Sequence, residues 1–366
     1  MRVLQIFGSL EVGGAESRMM DVYRCIDKKT VKFDFLVVNN MEDGQYFEEE
    51  IKHLGGNIVK TPSPRICGVV RHCKNLTAIM KSGQYGVVHA HTSYYSGIPL
   101  LVAKISGIKV RIAHARNSGL KTNGIKAKTQ FLIGKWLIKH TSTAKVAVSE
   151  KAGEFLFGSK NFQIIPNAID IEKYLNVTTE DVLNLKKEYE LKEETIIGHV
   201  GRFAAVKNHK YIIELFLEYL KINRNAKLIL IGEGPLRKDI ERMVEDYMLN
   251  EKIIFLGVRS DVHLWMQIFD ILLFPSFNEG LPGAVPEAQA AGTACVISDS
   301  ITREVDMGLN LVDFVSLEQT KQEWIVAIEK MLQKEKINAN FIRQAFNKRK
   351  YSLEREIEIL QKLYGV

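Results

Sequence analysis

Two patterns of apolar residues alternate along the chain. Short runs rich in valine and isoleucine occupy residues 3–7, 33–38, 86–90, 110–114, 145–149 and 162–165. Between them lie longer stretches with apolar residues three and four apart, the spacing of amphipathic helices. After a turn at residues 166–170 the pattern restarts, with runs at 195–200, 227–231, 252–256, 270–275, 293–298 and 311–315. Near-continuous apolar strands need cover on both faces, and a parallel sheet flanked by helices with right-handed crossovers provides it. The repetition predicts an α/β chain of two doubly wound domains, residues 1–168 and 169–350, with the boundary within 167–174. The last segment places Leu353, Ile357, Leu360 and Tyr364 on one helical stripe with charged residues opposite. A helix over 351–366 is therefore expected to pack back on the first domain. Open α/β sheets bind ligands beyond their strand carboxyl ends, so a cleft between two such rims is the expected site.

Composition narrows the class. The 366 residues, 46% hydrophobic and 25% charged with 8 prolines, describe an ordinary globular chain and exclude a fibrous or disordered one. No apolar stretch reaches the roughly 18–20 residues of a membrane-spanning helix, and the expected location is cytoplasmic. The four cysteines have no metal-ligand spacing and read as small buried hydrophobes. Charge is distributed unevenly. Residues 51–149 carry sixteen Lys or Arg and no Asp or Glu, so the +7 of the whole leaves −9 for the remainder. Such polarity points to a polyanionic partner. Lysines 121, 126, 128, 135 and 139 accompany Ile125, Phe131, Leu132, Trp136, Leu137 and Ile138, a basic amphipathic segment suited to an anionic membrane surface or to a solvated helix face.

The segment 276–292, SFNEGLPGAVPEAQAAG, follows a strand and carries Glu279 and Glu287 eight residues apart. Its Gly-rich loop can turn backbone N–H groups toward a ligand while the two carboxylates accept hydrogen bonds from hydroxyls, a grip for a polyol. Taken alone, the same spacing also fits a solvated loop acid and an acid favoured by the helix dipole. Arg202 and Lys207 follow the first strand of the second domain, on the rim that carries Glu279, where two cations could hold a diphosphate. Gly232 and Gly234 form a strand-to-helix turn. In the first domain Gly13 and Gly14 open the first helix and permit close approach of a phosphate or hydroxyl to the backbone. They do not form G-x-G-x-x-G, which argues against a nicotinamide site. His89, His91 and His114 end strands, and for the first two a structural role is the simpler reading. No D-x-D pair and no activated nucleophile are present, so neither a divalent metal nor a covalent intermediate is indicated.

Residues 276–292 resemble the E-x7-E signature of the retaining glycosyltransferases of family 4. GRFAAVKNH resembles that family's G-R-x4-K element, and LILIGEGP, FLGVRSDV and DILLFPS occur in its order. The resemblance implies the GT-B fold, in which two Rossmann-like domains face each other across a cleft. It implies that Arg202 and Lys207 hold the donor diphosphate, that Glu287 binds ribose hydroxyls, and that the backbone at Val258 and Arg259 contacts the base. It places Gly232 and Gly234 near the nucleotide. Glu279 would face the transferred sugar, with N–H groups around Gly280, Leu281, Pro282 and Gly283 nearby. Gly13, Gly14 and Glu16 would approach the acceptor, and His114 the sugar and β-phosphate. Ala168 departs from the family's usual glycine in PNAID.

The expected activity is retaining transfer of a sugar from a nucleoside diphosphate, with UDP the expected nucleotide, to a glycan or polyprenyl-diphosphate-linked acceptor in cell-surface polysaccharide synthesis. No metal or other cofactor and no nucleic acid are expected. The first domain would bind the acceptor, the second the nucleotide sugar, at the inner face of the membrane. A sugar-nucleotide epimerase on the same fold, or a basic membrane or nucleic-acid adaptor without catalysis, are the alternatives.

Overall fold

The computed structural model describes all residues except 12–13, 39–44, 118, 120–123, 159–160, 278 and 280. The chain divides into two compact units, Met1–Ala168 with Lys350–Val366, and Ile169–Arg349.

The first unit holds a parallel sheet of β1 (Arg2–Phe7), β2 (Lys32–Val37), β3 (Ile58–Lys60), β4 (Val87–Ala90), β5 (Val110–Ala115), β6 (Ala144–Ala147) and β7 (Gln163–Ile164). Their order is β3-β2-β1-β4-β5-β6-β7. The order reverses between β1 and β4, where the crossovers pass to opposite faces and leave a crevice at the strand carboxyl ends. The apolar runs anticipate every strand but β3, an edge strand of three half-buried residues too short to show a period. Side chains alternate strictly. Val3, Phe7, Phe33, Phe35, Val87, Ile112 and Val146 share one buried cluster with Leu353, Leu360 and Tyr364 of helix Leu353–Tyr364. Leu4, Ile6, Leu36, Val88, Ala113 and Ala147 form the cluster on the opposite face.

Two details of that unit depart from the sequence pattern. The charged residues of the last helix do not all lie opposite its apolar stripe: Glu356 is buried, because it lies three residues after Leu353 and four before Leu360. In helix Ile125–Thr141, Ile138 is buried and Phe131 stacks on Phe155, so these two turn inward and do not belong to an outer apolar face. Ile125, Leu132, Ile133 and Trp136 are exposed beside exposed Lys126, Lys128 and Lys139. Lys121 lies outside the described residues. No helix among the described residues is long and apolar enough to cross a membrane.

The second unit repeats the plan with β8 (Thr195–Val200), β9 (Ala226–Ile231), β10 (Ile253–Gly257), β11 (Ile271–Phe274), β12 (Ala294–Ser298) and β13 (Val312–Val315). All are parallel, in the order β10-β9-β8-β11-β12-β13. Its core joins Ile197, Leu228, Leu230, Ile271 and Leu273 to Ile212, Phe216 and Trp324 of the covering helices. Capping boxes at Thr178–Asp181 and Thr320–Glu323 define two helix starts, satisfying N–H groups that the first turn leaves unpaired.

Candidate active site

Because all six strands of the second unit are parallel, the loops after β8, β9, β10 and β11 emerge at one edge. Backbone hydrogen bonds tie them together. Phe203 N–H donates to Glu233 C=O (3.0 Å), Gly232 N–H to Gly257 C=O (2.8 Å) and Phe277 N–H to Val206 C=O (2.9 Å). The fit is close enough to require glycine. Gly232 has φ +141°, and a Cβ there would stand 2.2 Å from the Gly201 oxygen, while one on Gly234 would stand 2.4 Å from the Phe203 oxygen.

Lys207 leaves this rim after β8 and meets Glu279, which follows β11, with Nζ 2.9 Å from Oε1. Beneath it Phe274 presents its ring face 4.4 Å from the ammonium. His209 stacks on Phe203 and packs edge-on against His199. Burial, then the charge of Lys207, pushes the His209 imidazole down to about 4, and burial, His209 and Lys207 hold His199 well below the usual range. The floor under the cation is thus neutral. Arg202 is exposed on the same rim and makes no ion pair among the described residues. Asn208, at φ 58°, turns the chain into helix His209–Tyr219 and donates from Nδ2 to Pro275 C=O, which locks the β8 loop to the β11 loop.

Helix Ala284–Ala290 begins at its N-cap Gly283, with Pro286 and half-buried Glu287 in its first turn. Gln289 anchors it, donating to Val305 C=O (2.7 Å) and accepting from Met307 N–H (2.9 Å). Pro282 is buried and Leu281 half-buried. Val258 is exposed. The Arg259 side chain is held by Asp261 at 2.8 and 2.5 Å, a pairing that raises its pKa, so only its backbone is available to a ligand. The structure therefore brings Arg202, Lys207, Gly232, Gly234, Val258, Arg259, Glu279, Leu281, Pro282, Gly283 and Glu287 to one edge of one sheet. Gly280 lies outside the described residues.

In the first unit Gly14 begins helix Gly14–Cys25, with no atom of the described residues within 4 Å of where a Cβ would point, and Glu16 follows in the first turn. Gly13 lies outside the described residues. His114 is buried on the face of the sheet covered by the last helix, its Nδ1 3.1 Å from His89 Nε2, and its own Nε2 has no partner among the described residues. The rings of His89 and His114 stack, and His91 lies tilted against both. Burial, the largest effect in each, and the Arg116 charge hold all three well below the ordinary histidine range. Their nitrogens lie within 4.8 Å of one another, the one group among the described residues spaced to hold a metal ion. Sequence reasoning missed Gln5, Arg116 and Tyr364, which bond to these histidines. Gln5 did carry a signal, being a polar side chain at an inward position of an apolar strand.

Two doubly wound parallel units of this kind are the architecture of the GT-B class. Residues 12–173 match the family described as Glycosyltransferase Family 4, and residues 181–348 that described as Glycosyl transferases group 1. The Bacillus subtilis protein EpsF, named as a glycosyltransferase, is 35% identical over 100% of this chain and 96% of its own length. The capsular polysaccharide biosynthesis glycosyltransferase CapH of Staphylococcus aureus is 26% identical over 92% of each chain. An Escherichia coli UDP-Gal:alpha-D-GlcNAc-diphosphoundecaprenol alpha-1,3-galactosyltransferase is 24% identical over 64% of this chain and 65% of its own. Among solved structures, Anabaena Alr3699/HepE in complex with UDP-glucose superposes with a TM-score of 0.80 at 16% identity, covering 100% of both chains. The chain belongs to glycosyltransferase family 4 and is an enzyme of that class.

Proposed function

We propose that the protein transfers a sugar from a UDP-sugar to a polyprenyl-diphosphate-linked glycan, with retention at the anomeric carbon, in building a cell-surface polysaccharide. The observation that carries this reading is the 2.9 Å approach of Lys207 to Glu279 on the rim that also bears Arg202. Cleaving a glycosyl phosphate bond leaves negative charge on the departing diphosphate and positive character on the sugar. Two fixed cations stabilise the first, and a carboxylate beside them suits the sugar and its hydroxyls. Glu287 binds the ribose hydroxyls, and the backbone at Gly232, Gly234, Val258, Leu281 and Gly283 borders the nucleotide and sugar. Gly14 and Glu16 approach the acceptor, with His114 directed to the transferred sugar or its phosphate. With no activated nucleophile among the described residues of the rim, the departing phosphate takes the acceptor proton as the new bond forms on the same face.

The acceptor assignment draws support from the names of CapH and the Escherichia coli galactosyltransferase. The exposed Lys126, Lys128 and Lys139 beside Trp136 and Leu132 suit a peripheral position on the anionic inner leaflet. The reading assigns charge neutralisation to Arg202 and Lys207 and requires no divalent metal. Its test is transfer from labelled UDP-sugars to an undecaprenyl-diphosphate-linked sugar, with the product anomer read by NMR. Retention and undiminished turnover in EDTA are expected. An inverted product, or activity abolished by EDTA and restored by a divalent cation, would overturn the mechanism.

A further inference from the structure

A run of buried polar groups in the first unit has its direction set at one end. Arg116 Nε always carries hydrogen, and it donates to His91 Nδ1 at 3.0 Å. His91 Nδ1 is therefore an acceptor, so its proton sits on Nε2, which donates to Gln5 Oε1 at 2.9 Å. That fixes the Gln5 amide, whose Nε2 donates to Tyr364 Oη at 3.1 Å. Tyr364 has no other acceptor for its O–H among the described residues than His89 Nδ1, 3.0 Å away, and the reverse direction would leave a buried hydroxyl hydrogen unpaired. With Tyr364 as donor, His89 carries its proton on Nε2 and donates to His114 Nδ1 at 3.1 Å. Arg116 Nη2 and His114 Nε2 are left over among the described residues. His114 Nε2 must bear hydrogen, and it is buried with no acceptor among the described residues.

This is the arrangement that pairs each of these buried donors and acceptors up to His114 Nδ1, and a charged His91 or His114 would place two hydrogens face to face. The groups come from β1, from β4 and β5 and the residues directly after them, and from the last helix, beside the reversal of strand order where doubly wound sheets bind ligands. Five of the six imidazole nitrogens are already engaged, and the Arg116 guanidinium lies against His91. A metal ion would have to break the relay and sit beside that charge.

We propose that Arg116, His91, Gln5, Tyr364 and His89 are positioning residues that lock His114 as the neutral Nε2–H tautomer, a hydrogen-bond donor to a substrate oxygen. The oxygen is one of a phosphate or of a sugar hydroxyl. So held, His114 cannot act as a base at Nε2, and it donates without adding a full charge. This inference rests on the reading of the first-unit rim as part of the substrate site, but its core is testable without substrate.

Selective 15N-histidine NMR on the full chain reads each ring nitrogen as protonated or bare. Across roughly pH 5 to 8, where free histidine titrates, His114 is expected to show a bare Nδ1 and a protonated Nε2 throughout. A protonated Nδ1 overturns the proposal whatever the enzyme's substrate. Tyr364→Phe removes the O–H link and is expected to mix the His114 tautomers and lower turnover about tenfold, the scale on which groups orienting a functional histidine act. A folded Tyr364→Phe with unchanged tautomer also overturns it, and if that variant does not fold the wild-type spectrum decides. UDP and UDP-glucose separate the two oxygens. A shifted Nε2–H signal with UDP alone assigns the phosphate, and one that needs UDP-glucose assigns a hydroxyl. No shift with either, while calorimetry registers both bound, removes His114 as the donor. Absence of UDP binding in calorimetry would instead fault the proposed activity and leave the tautomer result standing.

Discussion

Lys207 lies over Phe274 and two histidines held neutral, and its charge is matched by Glu279 alone among the described residues. A cation so placed keeps its position before a diphosphate arrives, and a preorganised charge acts at little reorganisation cost. Lys207→Ala is expected to lower turnover by roughly 10²–10³-fold, the usual cost of losing one such group. Steady-state transfer kinetics measure it, and a variant with wild-type turnover would remove Lys207 from the mechanism. Arg202, Lys207 and Glu279 were legible in the sequence because each closely follows an apolar run, and parallel strands send all such residues to one edge. The Lys207–Glu279 ion pair was not, since nothing in residue spacing brings 207 to 279. The histidine relay was still less visible. Gln5 sits inside the apolar run VLQIF, and Tyr364 reads only as the last apolar position of a helix.

Among elements, the last helix shows what a periodic pattern conveys and where it stops. The stripe of Leu353, Ile357, Leu360 and Tyr364 was readable, and Leu353, Leu360 and Tyr364 are buried in the first unit's core with Ile357 half-buried against it. Glu356 shares that side of the helix, and only packing decides that a carboxyl is enclosed there. There it accepts from Ala168 N–H at 3.1 Å. Burial pushes its pKa up to about 7 from an ordinary 4.5, against the opposing charge of Arg116. The sign of the consequence follows from proton counts. Between these two values the folded chain holds a proton that the unfolded chain has released, so this group's contribution falls as pH rises through the window. The loss is about 3 kcal/mol at full extent. The buried histidines act oppositely, their lowered pKa values costing stability as pH drops below 6.5. Comparing urea denaturation of wild type and Glu356→Gln isolates the acid. The variant is expected to gain on wild type as pH rises from about 5 to 8, and a pH-independent difference would contradict the assignment.

For the molecule as a whole, the sequence announced its polarity directly, with +16 over residues 51–149. Which face carries that charge depends on packing. Helix Ile125–Thr141 turns Ile138 inward and leaves Trp136 61% and Leu132 65% exposed among lysines. Vesicles rich in phosphatidylglycerol are expected to retain the protein at low salt and release it at high salt, with weaker retention for Trp136→Ser. Equal binding to neutral vesicles would contradict an electrostatic surface. In the other unit, the role proposed for Arg202 and Lys207 is to hold a nucleoside diphosphate. Each charge-assisted contact contributes about 1.5–3 kcal/mol, so removing both should weaken binding at least about 100-fold. The most direct measurement is calorimetric titration of UDP into the wild-type protein and into the double variant Arg202→Ala with Lys207→Ala. Saturable binding in the first and its loss in the second are predicted, and equal affinity in the two would contradict the account.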